Sequence, residues 1–164
     1  MKHLVVIAEK EELKLVEQLG FNHYPVLITG VGALNVIEAL KDIPRDTIIY
    51  NIGYGGSKNL EPGKFYAIDR VSLYHQNVEY VEPLYSLGYI PWTKEEEPEE
   101  DSYMIPVKCL TGTDFVLESN IEDCVFDMEL AYIKALGFEN VIAFKYVSDN
   151  LDLQEYREKL KDEK

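Results

Sequence analysis

Three observations predict an α/β protein with a mixed, mostly parallel central sheet between helical layers, a three-layer sandwich. Short β-branched runs such as "HLVVIA", "YPVLIT" and "DTIIYNIG" have the length and composition of buried strands. Between them, residues 9–19 and the segment "GALNVIEALKDI" carry apolar side chains at helical spacing, with Leu13, Val16 and Leu19 on one face. From Gly53 to Tyr85 strand-like stretches follow one another with no helix between, so the sheet is expected to be mixed rather than wholly parallel.

The elements follow in order. "HLVVIA" is the first strand, residues 9–19 the first helix, "YPVLIT" the second strand, "GALNVIEALKDI" the second helix and "DTIIYNIG" the third strand. "KFYAIDRVSLYH" and "NVEYVEPLY" read as strands separated by turns. "TKEEEPEEDS", residues 93–102, is acidic and nearly devoid of apolar residues, which predicts a surface loop, with Trp92 and "LGYIPW" beside it as an anchor or a pocket cap. A strand in "YMIPVKCLTG" follows, then a loop, then a helix over residues 128–136 that Gly137 ends, and a strand in "NVIAFKYV". "LDLQEYREKLKDEK" reads as a short terminal helix. At 164 residues the chain is long enough for one domain with a substantial core, so residues 1–164 are expected to form a single unit.

Composition narrows the partners. A formal charge of −14 argues against the basic face that nucleic acid or an anionic membrane surface requires, which leaves a small molecule as the expected partner. Cys109 and Cys124 lie in apolar stretches without C-x-x-C spacing, so buried reduced thiols are expected, in a cytoplasmic setting, rather than a zinc site or a disulfide framework. His3, His23 and His75 show no ligand spacing to acids or cysteines, so neither a metal nor a cofactor is expected. No segment has the length of a membrane span.

In an α/β sheet ligands bind beyond the carboxyl ends of the strands, which singles out "AEKEEL", "TGVGALN", "NIGYGGS", "TGTDF" and "VSDN". Singly these are weak signals. "GVG" lacks the third glycine of a dinucleotide fingerprint, and "NIGYGG" lacks the Lys-Ser pair of a P-loop. Glu12 alone could be a solvated helix residue, and Asp149 alone a turn or capping residue.

Taken in order, "IAEKEEL", "TGVGALN", "NIGYGGS", "LEPGKFYAIDRV", "TGTDF", "FDMELAYI" and "YVSDNLD" resemble the motif series of the nucleoside phosphorylase and 5'-methylthioadenosine/S-adenosylhomocysteine nucleosidase family, over nearly the whole chain. The Met-Glu pair of the penultimate helix and the Ser-Asp after the next strand carry the resemblance furthest. It implies a phosphorylase/hydrolase-like fold, a homodimer or higher oligomer, and cleavage of a nucleoside N-glycosidic bond. By matching position, Asp149 would be the general acid that protonates the purine and Glu12 the base that activates water. Glu129 would hold the ribose hydroxyls, Met128 would pack on the sugar, and Phe115 with Val116 would line the base pocket. Tyr54 and Gly55 fall in the substrate-binding glycine cluster, and the Tyr54 ring is expected to crowd the nucleoside. Asp127 and Lys145 stand out as charges where apolar or small residues are more usual.

That division of labour makes chemical sense. A purine leaves slowly as an anion, so a positioned proton donor lowers the barrier, and a carboxylate beside the ribose suits a sugar becoming positive. A phosphorylase would need a cationic cradle, yet Arg45, Arg70 and Arg157 all lie outside the loops after the first three strands. Water is therefore the expected nucleophile. A phosphate-dependent phosphorylase, or a family member that binds a nucleoside without turning it over, are the alternatives.

Overall fold

The computed structural model of the chain describes residues 2–82, 85–87, 106–152 and 157–158. The acidic segment at 93–102, Trp92 with its neighbours, and most of the terminal helix expected after residue 150 lie outside the described residues. Among the described residues nine strands form one sheet: β1 (His3–Ile7), β2 (Val26–Ile28), β3 (Ile48–Gly56), β4 (Phe65–His75), β5 (Tyr80–Val81), β6 (Tyr85–Ser86), β7 (Val107–Thr111), β8 (Cys124–Asp127) and β9 (Asn140–Asp149). The helices are α1 (Leu13–Gln18), entered through a 3-10 turn at Lys10–Glu12, α2 (Ala33–Leu40) and α3 (Leu130–Ala135).

β1 lies between β2 and β3, parallel to both, which is why "HLVVI" is apolar almost throughout. Beyond β3 the architecture departs from the expected open sandwich. β3 pairs with β9 in parallel, β9 with β4 antiparallel, β4 with β7 and β7 with β8 in parallel, and β8 returns antiparallel to β3 at Gly56 and Phe126. The circuit β3, β9, β4, β7, β8 therefore closes on itself, and β1 and β2 extend it on one side. Two long strands make closure feasible. β4 pairs with β9 over its first half and β7 over its second, with a bulge between Ile68 and Arg70 that turns it from one neighbour to the other. The α/β class and the mixed sheet hold, but a strand circuit stands where three flat layers were expected.

Helices cover two faces. Val36 and Leu40 of α2 and Leu130, Ala131 and Ile133 of α3 join Ile49, Val141 and Ala143 in one apolar cluster. Leu15 and Val16 of α1 join Tyr50, Ile52, Phe144 and Tyr146 in the other. Arg45 fastens the ends of α2 and α3: its Nε donates to the Leu136 carbonyl at 2.7 Å and its Nη1 to that of Ile43 at 2.6 Å. Gly137, at φ 94°, ends α3 in the left-handed conformation that the sequence predicts there. β8 and its "CVFD" were not expected from the sequence. The helix expected over residues 128–136 begins two residues later, at Leu130, with Glu129 at its N-cap.

Candidate active site

A cleft of about 130 Å³ opens at the carboxyl ends of β1, β3, β8 and β9. All eight residues singled out from the sequence line it: Glu12, Tyr54, Gly55, Phe115, Val116, Met128, Glu129 and Asp149. The lining also includes Val31 from "GVGALN", Gly56 from "NIGYGGS", and Asp127, noted from the sequence only as an unusual charge.

Glu12 is fixed by backbone amides. Its Oε1 accepts from the N–H of Ala8 at 2.8 Å and of Glu9 at 3.0 Å, and its Oε2 from the N–H of Tyr54 at 2.9 Å. Burial pushes its carboxyl above the ordinary range, an effect that nearby Lys145 and these amides only partly oppose. Gly53 is required by this contact, since a Cβ there would stand 2.6 Å from Glu12 Oε2.

Asp127 and Lys145 form a buried ion pair beneath the cleft, with Nζ 3.0 Å from Oδ2 and side chains 0% and 1% exposed. Asp127 also accepts from the Thr111 hydroxyl and from the Leu130 N–H, so its carboxylate caps the start of α3. Burial alone would raise this carboxyl, but Lys145 and these donors bring it below the ordinary range. Burial likewise opposes the charge on Lys145, yet Asp127 above all, with weaker help from Glu129 and Glu12, holds the ammonium above its ordinary range. The two unusual charges thus explain each other.

Glu129 accepts from the Gly32 N–H at 3.0 Å, which ties the "GVG" turn to the cleft. Burial first, then the charge of Asp127, raises its carboxyl to about 8. Asp149, fully buried, accepts from the Ser148 hydroxyl at 2.7 Å, the Leu151 N–H at 2.9 Å and the Asp152 N–H at 3.2 Å, all within its own turn. A register shift between Gly55 and Gly56 in the β3–β9 ladder sets the Asp149 carboxylate above Gly56, where a Cβ would stand 2.9 Å from Oδ2.

Strand alternation sets where the Tyr54 ring lies. Tyr54 shares its face of β3 with Tyr50 and Ile52 and packs in the cluster under α1, its ring edge-on to Tyr146 and its face toward Lys14. Gly53 and Gly55 occupy the opposite face, toward Lys145 and Val125. Tyr54 therefore borders the cleft while its ring sits in the core. Both cysteines are free and buried, and burial pushes the Cys124 thiol up to about 12. Among the described residues no group of three or more His, Cys, Asp or Glu has a metal-binding arrangement, and no helix is long and apolar enough to cross a membrane.

Fold and cleft together define an α/β protein with a carboxylate-rich cleft at its strand ends. The fold is that of the 5'-methylthioadenosine/S-adenosylhomocysteine nucleosidases, the family whose motif series the sequence resembles. A variant of the Chlamydia trachomatis nucleosidase superposes with a TM-score of 0.74 at 16% identity, over 99% of this chain and 88% of that one. The Helicobacter pylori nucleosidase, complexed with a pyrrolopyrimidine-bearing pyrrolidinol, gives 0.72 at 15% identity, over 99% and 92%. The Neisseria meningitidis nucleosidase, in complex with methylthio-immucillin-A, gives 0.72 at 16%, over 98% and 93%. No protein-family model matches the sequence, and no curated sequence relative matches it.

Proposed function

We propose that the chain is a nucleosidase-like hydrolase that cleaves the N-glycosidic bond of a purine nucleoside or thionucleoside of the methylthioadenosine or adenosylhomocysteine type. The observation that carries this reading is the convergence of Glu12, Glu129 and Asp149 with Phe115 and Val116 on one cleft of a nucleosidase fold. Asp149 gives a proton to N7 of the purine as the glycosidic bond breaks, so the base leaves neutral. Glu12, its carboxyl raised by burial and therefore a stronger base, takes a proton from the water that adds to the sugar. Glu129 holds the ribose hydroxyls. Burial and the charge of Asp127 raise its carboxyl to about 8, so it holds a proton more readily than an ordinary carboxyl, and in either state its oxygens can accept hydroxyl hydrogen bonds. Met128 packs on the sugar, and Phe115 with Val116 flanks the base.

Water rather than phosphate is supported by the lining, which among the described residues has five acidic side chains, Glu9, Glu12, Asp127, Glu129 and Asp149, and no basic one. Arg45 is engaged at the helix ends and Arg70 with Asp69. One observation favours a non-catalytic binder of the base: about 130 Å³ is small beside the roughly 300–1,000 Å³ of sites for drug-sized ligands. We further infer a single domain that pairs as a homodimer. Leu34, 84% exposed, and Ile37, one turn on in α2, are exposed apolar side chains, as are Ile28 and Val31, and exposed apolar surface of this kind supports association.

Incubation of the purified chain with a panel of purine nucleosides and thionucleosides, with and without phosphate, tests the reading. Free base and reducing sugar without phosphate are expected. Product only with phosphate would make the chain a phosphorylase. No base from any nucleoside would sink the hydrolase reading, and thermal stabilisation by adenine in that case would leave the binder.

A further inference from the structure

We propose that Glu79 is a positioning residue that clasps the loop carrying the base wall, and so sets how tightly the cleft holds a planar base, an effect on substrate that rests on the nucleosidase reading. Glu79 lies in the turn between β4 and β5 at φ 49°, a conformation that few residues with a Cβ adopt. Its Oε1 accepts from the Asn120 N–H at 2.7 Å and from the Ser119 hydroxyl at 3.0 Å. Ser119 Oγ in turn accepts from the Tyr74 hydroxyl and from the Ile121 N–H, both at 3.1 Å. Tyr74 and Ser119 are buried, 2% and 4% exposed, while Glu79 itself is exposed. A solvated carboxylate thus holds two buried hydroxyl groups and one amide in register, at no cost of burying its own charge.

The connection to the cleft runs through packing. Val116 shares an apolar cluster with Tyr74, Leu110, Phe126 and Leu151, so the group that orders Tyr74 and Ser119 also orders Val116 and, beside it, Phe115. The loop has a second anchor at its far end, where Asn59 and Asp123 exchange hydrogen bonds, each at 2.8 Å. Of the two anchors, Glu79 grips the loop nearer the wall, at Ser119 and Asn120, whereas Asn59 grips it at Asp123. Its donors, the Asn120 amide first and Ser119 next, hold its carboxyl below the ordinary range, so the clasp is in its charged form at neutral pH.

Glu79→Ala and Glu79→Gln, with hydrogen exchange across residues 112–121 and steady-state kinetics on a nucleoside that the parent cleaves, test the clasp. Glu79→Ala is expected to speed exchange in that loop about tenfold and to raise KM about five- to tenfold with kcat within about twofold, the signature of lost uniform binding. Glu79→Gln, which keeps an acceptor oxygen, should recover most of both. Unchanged exchange and KM in Glu79→Ala would overturn the proposal, as would faster exchange throughout the sheet with kcat and stability falling together. If the parent cleaves no nucleoside, the nucleosidase reading fails and exchange alone decides the clasp: selective opening of the loop supports it, and an unchanged loop overturns it.

Discussion

The two walls of the cleft hold their carboxylates by different means. On one wall Glu12, Asp127 and Glu129 surround a single buried cation, Lys145, and influence one another's protonation. On the other wall Asp149 is held by the hydroxyl of Ser148 and the amides of Leu151 and Asp152, donors from its own turn. The first wall depends on a balance of charge, so its state changes with pH and with the loss of any member. The second depends on chain geometry, set by the register shift beside Gly56. Placing acids in unlike environments is how one site obtains groups with separate proton-transfer tasks.

The comparison can be broken in stages. Asp149→Asn should lower base release about 10²- to 10⁴-fold while leaving the denaturation midpoint close to that of the parent. Activity within tenfold of the parent would remove Asp149 as the acid. Lys145→Met leaves Asp127 charged and unpaired in the core, and should cost about 3–5 kcal/mol by urea unfolding. Replacing Asp127 by Leu in the same chain should restore much of that stability, because the pair contributes less than the penalty of separating it.

Smaller effects discriminate further. Gly56→Ala puts a Cβ 2.9 Å from Asp149 Oδ2 and 3.2 Å from Leu151 Cδ2, so a loss of roughly 1–3 kcal/mol and a lowered kcat are expected in denaturation and rate assays. For Glu129 the sign of the pH response follows from its raised carboxyl. As pH climbs from about 4.5 to about 8 the unfolded chain releases this proton while the folded chain keeps it, so the parent loses stability over that window. Glu129→Gln lacks the loss, and its melting temperature should gain on the parent's by a few degrees between pH 5 and pH 8. An equal difference at both pH values would show that Glu129 is an ordinary carboxylate. Tyr54→Phe should leave KM within about twofold, since the ring faces the cluster under α1. A large rise in KM would return Tyr54 to the nucleoside.

Much of this was legible in the sequence because the site sits at strand ends, and strand ends can be read from local patterns. Glu12, Glu129 and Asp149 each follow or flank a short apolar run, and all three reach the cleft. What stayed hidden depended on pairing. β8 is four residues, "CVFD", beside several acids, too short for periodicity to declare. The closed circuit turns on a single pair, Gly56 with Phe126, between segments far apart in sequence. The Tyr54 orientation was within reach of alternation along β3, had the glycines been assigned to the face opposite Tyr50 and Ile52. Lys145 within "NVIAFKYV" was a signal too: a cation in a strand buried on both faces demands a buried counter-charge, which Asp127 supplies.

A crystal structure of the chain with adenine and a ribose-like inhibitor bound tests the central claim most directly. The account predicts the base against Phe115 and Val116 with N7 within hydrogen-bond reach of Asp149, the sugar hydroxyls on Glu129, and Glu12 facing the water on the far side of the sugar. Adenine bound away from Asp149, or Glu12 and Asp149 on the same side of the sugar, would contradict it.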